Sequence, residues 1–211
     1  MAEQDLEAVP GTGRLEAFSD GVFAIIVTLL VLNLRTPKLD NNSTQAVLRA
    51  LLPVVPPFIS FAFSFFTVAI FWVNHHHFVA PIMRTDWRLM WYNNLLLFWL
   101  AVVPFTTSFI GEHPTAPLVV AIYALNMCLV AASFCLLEYH VFARAHLLPK
   151  SVKQAEEQRE LRRSLIGVGS YATATVLALL YVYAALILLI LIPIYFIVPN
   201  LLVRTLPSPN E

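Results

Sequence analysis

Two short polar runs interrupt an otherwise apolar sequence, and both carry side chains that can do chemistry. The first run contains Arg14, Phe18, Ser19 and Asp20. The second spans residues 72–77 and includes three consecutive histidines. Carboxylates and imidazoles bind metal ions, relay protons or form structural hydrogen bonds. The spacing of these groups decides among the three roles.

The consecutive histidines, His75, His76 and His77, do not predict a metal site. Successive side chains on a helix point about 100° apart, so they cannot all face one ion. No second group of His, Cys, Asp or Glu at ligand spacing accompanies them. We therefore predict neither a metal nor a cofactor, and we interpret the histidines as hydrogen-bonding groups between helices. Their candidate partners are Asp20, Asn93 and Asn94.

Catalytic motifs are missing from the sequence. It contains no GxSxG, HExxH, P-loop or GxGxxG pattern. Asp20 and His75 would allow an intramembrane hydrolase in principle, but no nucleophile is marked beyond ordinary Ser and Thr residues. We therefore predict that the protein is not an enzyme.

Composition predicts the elements that carry these residues. Apolar residues make up 59% of the 211 residues and charged residues 12%, about half the charged fraction of a soluble domain. A membrane-spanning helix needs about 20 apolar residues, so the longest apolar stretch holds two helices. We predict an all-α integral membrane protein, with six transmembrane helices in one domain over residues 1–211. The apolar stretches are residues 21–34, 51–73, 89–110, 117–137 and 165–203.

The charge distribution predicts the topology and excludes one class of partner. A formal net charge of zero argues against a nucleic-acid binder. Ten of the 13 Lys and Arg residues fall on one side of the predicted membrane, and three on the other. Since cytoplasmic loops carry the Lys/Arg excess, we predict a cell-membrane protein with both termini cytoplasmic. Six spans agree with this topology, because an even number of crossings places both termini on the same side of the membrane.

Local features refine the predicted spans. The acidic flank of residues 21–34 predicts a retained helix, not a cleaved signal peptide. Residues 145–163 form the one long polar loop, which is predicted to be cytoplasmic and partly helical, and which could also dock a partner. Cys128 and Cys135 lie about 10 Å apart along one helix and are predicted to pack as free thiols. Prolines inside the apolar stretches predict kinks; they are Pro53, Pro56, Pro57, Pro104, Pro193 and Pro199.

The first predicted helix separates apolar and charged side chains. On a wheel of 100° per residue, Ile25, Leu29 and Leu32 fall within about 60° of one another. Asp20 lies nearly opposite this aliphatic stripe, and Thr28 lies at its edge. A charged group within a span normally faces protein or water, so Asp20 is expected to contact neighbouring helices. Periodicity alone favours ordinary packing or lipid contact for the stripe.

The two polar runs resemble those of the transmembrane protein 175 family of potassium channels. The resemblance rests on Arg14-x-x-x-Phe18-Ser19-Asp20 in the first helix and on Trp72, Asn74, His75 and His76 in the second. The chain is similar to the short prokaryotic members, which have one six-helix unit. The motifs occupy the first two helices only, although the pattern of spans agrees along the whole length.

This resemblance implies a homotetramer in which the first helix of each subunit lines a central pore. The pore would have a hydrophobic constriction of Ile25, Leu29 and Leu32 in place of a carbonyl filter, with Thr28 associated with potassium selectivity. It implies as partners other copies of the chain, the lipid bilayer and monovalent cations, with potassium the permeant ion. It also implies that Arg14, Phe18, Ser19 and Asp20 pack against the Trp-x-Asn-His-His segment.

Two other functions remain open at this point. A secondary transporter or proton-coupled permease would use Asp20 and the histidines as a relay, and it predicts discontinuous helices near the midplane of the membrane. A non-conducting membrane scaffold would use the polar loop at residues 145–163 to bind a partner. The channel is the leading hypothesis.

Overall fold

The chain folds into helices, as seen in a computed structural model that describes residues 12–144, 147–148 and 154–205. Every regular element of these residues is helical. In chain order they are α1 (Gly13–Val31), α2 (Thr44–Leu51), a single 3-10 turn (Leu52–Val54), α3 (Val55–Val79), α4 (Trp87–Glu112), α5 (Pro117–Phe142), α6 (Gln154–Leu180) and α7 (Val182–Thr205).

Four segments of the described chain are long and apolar enough to cross a membrane. They are Thr44–Val79, Trp87–Glu112, Pro117–Phe142 and Glu157–Leu180, and the apolar helix Val182–Ile197 is shorter. Helix α1 carries three charged residues within its 19, namely Arg14, Glu16 and Asp20. The all-helical, apolar architecture predicted from composition is confirmed at this level.

The prolines predicted to kink the second apolar stretch lie where a 3-10 turn separates α2 from α3. Pro53 lies in the 3-10 turn, and Pro56 and Pro57 lie in the first turn of α3. The first N–H groups of a helix have no partner within the helix, so proline loses nothing there. Pro104, by contrast, lies inside α4 as predicted.

Helix α5 is the centre of the bundle and has the most buried residues, with α4 and α6 packed against it. Helix α1 packs on α3 and α4. Helices α6 and α7 are antiparallel, since Arg163 Nη2 donates to the carbonyl oxygen of Phe196 at 2.8 Å. Only Tyr181 separates them. Helix α6 begins at Gln154, so part of the predicted polar loop is helical; residues 145–146 and 149–153 lie outside the described residues.

We call the end of the bundle that holds the α3–α4 connection, residues 80–86, the inner end, and the opposite end the outer end. At the outer end a cavity of about 310 Å³ opens beside Asn33, Arg35 and Glu112. Close to it, a Cβ atom added at Gly111 would lie 3.0 Å from the Cα atom of Pro57. Helices α3 and α4 therefore approach each other closely there because Gly111 has no side chain.

A buried hydroxyl network joins α3, α4 and α5. Thr107 Oγ1 donates to Ser64 Oγ at 2.8 Å, and Ser64 Oγ lies 3.0 Å from Tyr123 Oη. All three side chains are buried. A polar group in an apolar interior is costly unless it is hydrogen-bonded, so this network fixes how the three helices pack. Helix α1 packs on two of these three helices.

Candidate functional site

Helix α1 has one face packed on α3 and α4 and one face that the rest of the described chain leaves uncovered. Its buried residues are Ser19, Phe23, Ile26 and Leu30, which recur at helical spacing. Five of the eight residues from Ile25 to Leu32 are exposed. The phase of the helix is therefore set by the side chains that face α3 and α4.

The predicted aliphatic stripe lies on the uncovered face. The exposed fractions are 59% for Ile25, 42% for Leu29 and 72% for Leu32. Leu32 caps the C-terminus of α1, since its N–H donates to the carbonyl oxygen of Leu29 at 3.1 Å. Three large apolar side chains in a row on an open helix face need an apolar environment, which lipid, another protein surface or a dry constriction can provide.

Thr28 lies on the same uncovered face. Its hydroxyl donates along its own helix, with Oγ1 2.9 Å from the carbonyl oxygen of Ile25 and 3.1 Å from that of Ala24. This back-bond uses the hydroxyl proton and leaves oxygen lone pairs directed away from the helix. The exposed oxygen can therefore accept a hydrogen bond or coordinate a cation.

A buried chain of hydrogen bonds, Ser19–Asn93–His75, ties α1 to α4 and α3, and we call it the inner anchor. Asn93 Nδ2 donates to Ser19 Oγ at 3.0 Å, and Ser19 Oγ donates to the carbonyl oxygen of Leu15 at 2.8 Å. His75 Nε2 lies 2.8 Å from Asn93 Oδ1. Since that amide oxygen can only accept, His75 carries a proton on Nε2. The ring of Phe23 packs on His75, with centroids 5.5 Å apart.

Of the two candidate asparagines, Asn93 forms the hydrogen bonds of the inner anchor, and Asn94 faces away from it. Asn93 is buried, whereas Asn94 lies on the exposed face of α4. Adjacent residues on a helix differ by about 100°, so only one of them can face α1 and α3. Asn94 is therefore not part of this site within one subunit.

Two further contacts join α1 to α3 around the anchor. Trp72 Nε1 donates to Asp20 Oδ1 at 2.8 Å. His76 Nδ1 lies 3.2 Å from Glu16 Oε1. The expected pairing of Asp20 with a histidine is thus not found. The Asp20 carboxylate accepts a hydrogen bond from Trp72, and His76 contacts Glu16 instead. Sequence reasoning missed Glu16, although it precedes Asp20 by four residues and so lies on the same helix face.

The remaining motif residues differ in their exposure. Arg14 and Phe18 are exposed on α1, and their packing on the Trp-x-Asn-His-His segment stays a prediction. His77 is exposed near the end of α3, and Asn74 is half-buried beside His75. Helix α1 does continue unbroken to Gly13, so Arg14 extends the exposed face toward the inner end.

Another ionic contact at the inner end caps α4. Asp86 Oδ1 accepts from the backbone N–H of Leu89 at 2.7 Å, and His140 Nε2 lies 3.0 Å from Asp86 Oδ2. Burial raises the pKa of Asp86, but the Leu89 N–H, His140 and Arg144 together lower that pKa below its usual value. The carboxylate therefore stays ionised and faces the helix terminus and α5.

Metal ligation has no support in the part of the chain that the structure describes. There, no three His, Cys, Asp or Glu side chains group closely enough to hold an ion. His75 and His76 instead serve separate hydrogen bonds to Asn93 and Glu16. The geometry of the cluster is that of a structural fastening between helices.

Comparison with known proteins finds one family along the chain. Residues 14–104 match the family described as the endosomal/lysosomal potassium channel TMEM175. The chain is 34% identical over 188 residues to a potassium channel of Chamaesiphon minutus. The aligned region covers 88% of this chain and 93% of that protein. A potassium channel of a Chryseobacterium species is also 34% identical over 188 residues, covering 89% and 93%. The rat endosomal/lysosomal proton channel TMEM175 is 32% identical over 119 residues, 52% of this chain and 24% of the rat protein.

Solved structures agree with these sequence relationships. The crystal structure of a lysosomal potassium-selective channel TMEM175 homolog from Chamaesiphon minutus superposes with a TM-score of 0.78 at 33% identity, covering 89% of this chain and 97% of that one. The potassium channel MtTMEM175 superposes with a TM-score of 0.64 at 20% identity, covering 90% of both chains. The second similarity shows a shared fold.

Proposed function

Since this chain belongs to the TMEM175 family, we propose that it is a potassium channel built from four copies of the chain around a central pore. Its relatives over nearly the whole length are potassium channels. Each subunit contributes α1 to the pore wall. Ile25, Leu29 and Leu32 form the constriction, and potassium is the preferred permeant ion.

The observation that carries this proposal is the uncovered aliphatic stripe on α1. Ile25, Leu29 and Leu32 lie on the face opposite the side chains that pack on α3 and α4. Four such stripes around one axis would form successive rings of branched side chains. Water leaves a narrow ring of this kind, and an ion cannot enter because nothing replaces its hydration shell. The rings therefore act as a hydrophobic gate.

The inner anchor supports the same arrangement. Ser19 and Asp20 reach α4 and α3, and Glu16 reaches α3, all at the inner end of α1. These bonds fix the rotation of α1 about its axis, so its aliphatic face points away from its own subunit. A change of about 100° in that rotation would turn Ile26 toward the axis in place of Ile25.

Thr28 is the candidate for cation selectivity in this pore. Its hydroxyl proton is held by carbonyl groups of α1, so its oxygen lone pairs face the uncovered side. Four threonine oxygens at one level would coordinate a partly dehydrated cation between the Ile25 and Leu29 rings. Replacing Thr28 by valine keeps the shape and removes the oxygen, which should reduce the preference for potassium over sodium.

Six membrane crossings per subunit complete the proposal. The four candidate spans, α7 and the more charged α1 give six, which leaves both termini on the cytoplasmic side. The inner end then faces the cytoplasm. Charged residues of α1 are tolerated because Glu16 and Asp20 are paired and Arg14 lies at its end.

Flux through purified channels in liposomes tests the gate. Ile25→Asn places an amide in the constriction and wets it, so we expect the potassium flux at rest to rise several-fold. Ile187→Asn is the matched control, because Ile187 is 60% exposed on α7, close to the 59% of Ile25, but lies outside α1. The control should leave flux unchanged.

The same experiment separates the channel from a transporter. Helices α1 and α3 run unbroken over Gly13–Val31 and Val55–Val79, whereas the transporter prediction expected discontinuous helices. Flux far below channel rates, or potassium movement strictly coupled to protons, would remove the channel proposal. Equal leakage through Ile25→Asn and Ile187→Asn would remove α1 as the pore helix.

A further inference from the structure

A pair of tryptophans is exposed at the inner end of α4. Trp87 and Trp91 are 67% and 55% exposed, and their rings meet edge to face with centroids 5.4 Å apart. They occupy successive turns of one helix face. Exposed indoles are unfavourable in water but stable at a membrane interface, where the ring is buried and the N–H stays hydrated.

Two arginines flank this pair. Arg84 lies in the α3–α4 connection and Arg88 in the first turn of α4, and both are exposed. Neither guanidinium forms an ion pair with the acidic residues that the structure describes. We call Arg84, Trp87, Arg88 and Trp91 the arginine–tryptophan patch.

The acidic residue nearest in sequence does not neutralise the patch. Asp86 lies between the two arginines along the chain, but its carboxylate accepts from the Leu89 N–H and from His140. These contacts direct its charge toward the terminus of α4 and toward α5. The patch therefore presents two positive charges beside two aromatic rings.

This combination fits one kind of ligand, a lipid with an anionic headgroup. A guanidinium binds phosphate oxygens through paired hydrogen bonds, and indole rings pack against the glycerol and upper acyl region. Two arginines without acidic partners favour a headgroup with net negative charge over a zwitterionic one. The same face of α4 continues with exposed Leu95 and Phe98, which suit an acyl chain.

We propose that the arginine–tryptophan patch binds an anionic phospholipid of the membrane leaflet at the inner end. The lipid is held by its phosphate on Arg84 and Arg88 and by its acyl chains along α4. A second copy of the chain is the other possible cover for these rings, and the experiment distinguishes the two.

Tryptophan fluorescence in vesicles tests the site without measuring ion flux. The full-length protein is placed in phosphatidylcholine vesicles that contain either brominated phosphatidylglycerol or brominated phosphatidylcholine at equal fractions. Bromine quenches nearby indoles, and the contribution of Trp87 and Trp91 is obtained by difference from the Trp87→Phe/Trp91→Phe variant. We expect phosphatidylglycerol to be preferred, by about fivefold for each arginine.

Paired substitutions identify the source of that preference. Arg84→Gln/Arg88→Gln should abolish the preference for phosphatidylglycerol while the protein elutes as the same oligomer. Arg35→Gln/Lys38→Gln, which removes two charges at the outer end, should keep it. The Arg84→Lys/Arg88→Lys variant retains the charge and should keep part of it.

Three results would overturn the proposal. Equal quenching by the two brominated lipids would mean that the tryptophans contact bulk lipid only. Absence of quenching by both would mean that another copy of the chain covers the patch. An unchanged preference in Arg84→Gln/Arg88→Gln would move the binding elsewhere. None of these results affects the channel proposal, because ion flux is not the readout.

Discussion

The two ends of α1 are attached to the rest of the subunit in different ways. At the inner end, Ser19, Asp20 and Glu16 each bond to a side chain of α3 or α4. At the outer end one side chain beyond the helix bonds to the backbone of α4: Asn33 Nδ2 donates to the carbonyl oxygen of Pro104 at 2.8 Å. The inner end is filled with bonded groups, whereas a cavity of about 310 Å³ lies beside Asn33.

This difference indicates where the proposed gate can move. A helix that is attached by more bonds at one end tilts about that end, and the largest displacement falls on the less firmly attached end. Leu29 and Leu32 lie nearer the outer, less firmly attached end than Ile25. We therefore expect the outer rings to separate more than the Ile25 ring when the pore opens. Substitutions at each end test this contrast.

The largest effect is expected at the inner anchor. Asn93→Leu removes both bonds of the amide: the buried His75 Nε2 loses its partner, and Ser19 Oγ keeps only its bond to the Leu15 carbonyl oxygen. The cost should be about 1 to 3 kcal/mol, the usual penalty for one buried group left without a partner. Thermal unfolding in detergent measures it. Asn94→Leu, one residue along on the exposed face, is the control and should change little.

The next largest effect is expected where α3 and α4 meet at the outer end. Gly111→Ala places a methyl group 3.0 Å from the backbone of Pro57, which cannot rotate aside. Overpacking of this kind costs about 1 to 2 kcal/mol. Gly169→Ala serves as control, because nothing lies within 4 Å of the added carbon. Equal unfolding temperatures for both variants would contradict the close approach.

A smaller effect is expected from the outer attachment of α1. Asn33→Ala removes the bond to Pro104 and should lower stability by about 1 kcal/mol. In liposomes it should also raise the fraction of time that the channel is open, since α1 then tilts more easily. Single-channel recording measures this fraction, with Asn42→Ala in the same loop as the control. A lower open fraction would argue that the outer end opens by another motion.

The smallest effect is expected from the ion pair at the outer end. Arg35 and Glu112 approach to 3.6 Å, but their side chains are 87% and 47% exposed. Water screens such pairs, and most contribute little. Arg35→Gln should leave the unfolding temperature within experimental error. A loss as large as that of Asn33→Ala would mean that the outer end is held more firmly than its geometry indicates.

Much of this arrangement follows from the sequence, because helical periodicity is a strong signal in α1. The spacing of Ile25, Leu29 and Leu32 predicts one face, and the structure leaves that face uncovered. The sequence does not decide between Asn93 and Asn94, because α4 is apolar on most sides and its rotation about its own axis cannot be inferred from the pattern. Only packing against α1 and α3 determines it.

Other contacts depend on distances between helices that no local pattern encodes. The pairing of Glu16 with His76, and of Asp20 with Trp72, requires the axial offset of α1 against α3. Glu138 was missed altogether, because it follows the apolar stretch that ends at residue 137. It is buried in α5, with one carboxylate oxygen unpartnered among the described residues. In the sequence alone, a single carboxylate next to a predicted span is interpreted as part of the following loop.

The junction of α6 and α7 has a consequence for how the protein is made. Only Tyr181 separates these two antiparallel helices. A single residue is too short to form a hydrophilic loop that would allow one helix to enter the bilayer before the other. If both helices cross the membrane as proposed, we expect α6 and α7 to insert together as a helical hairpin.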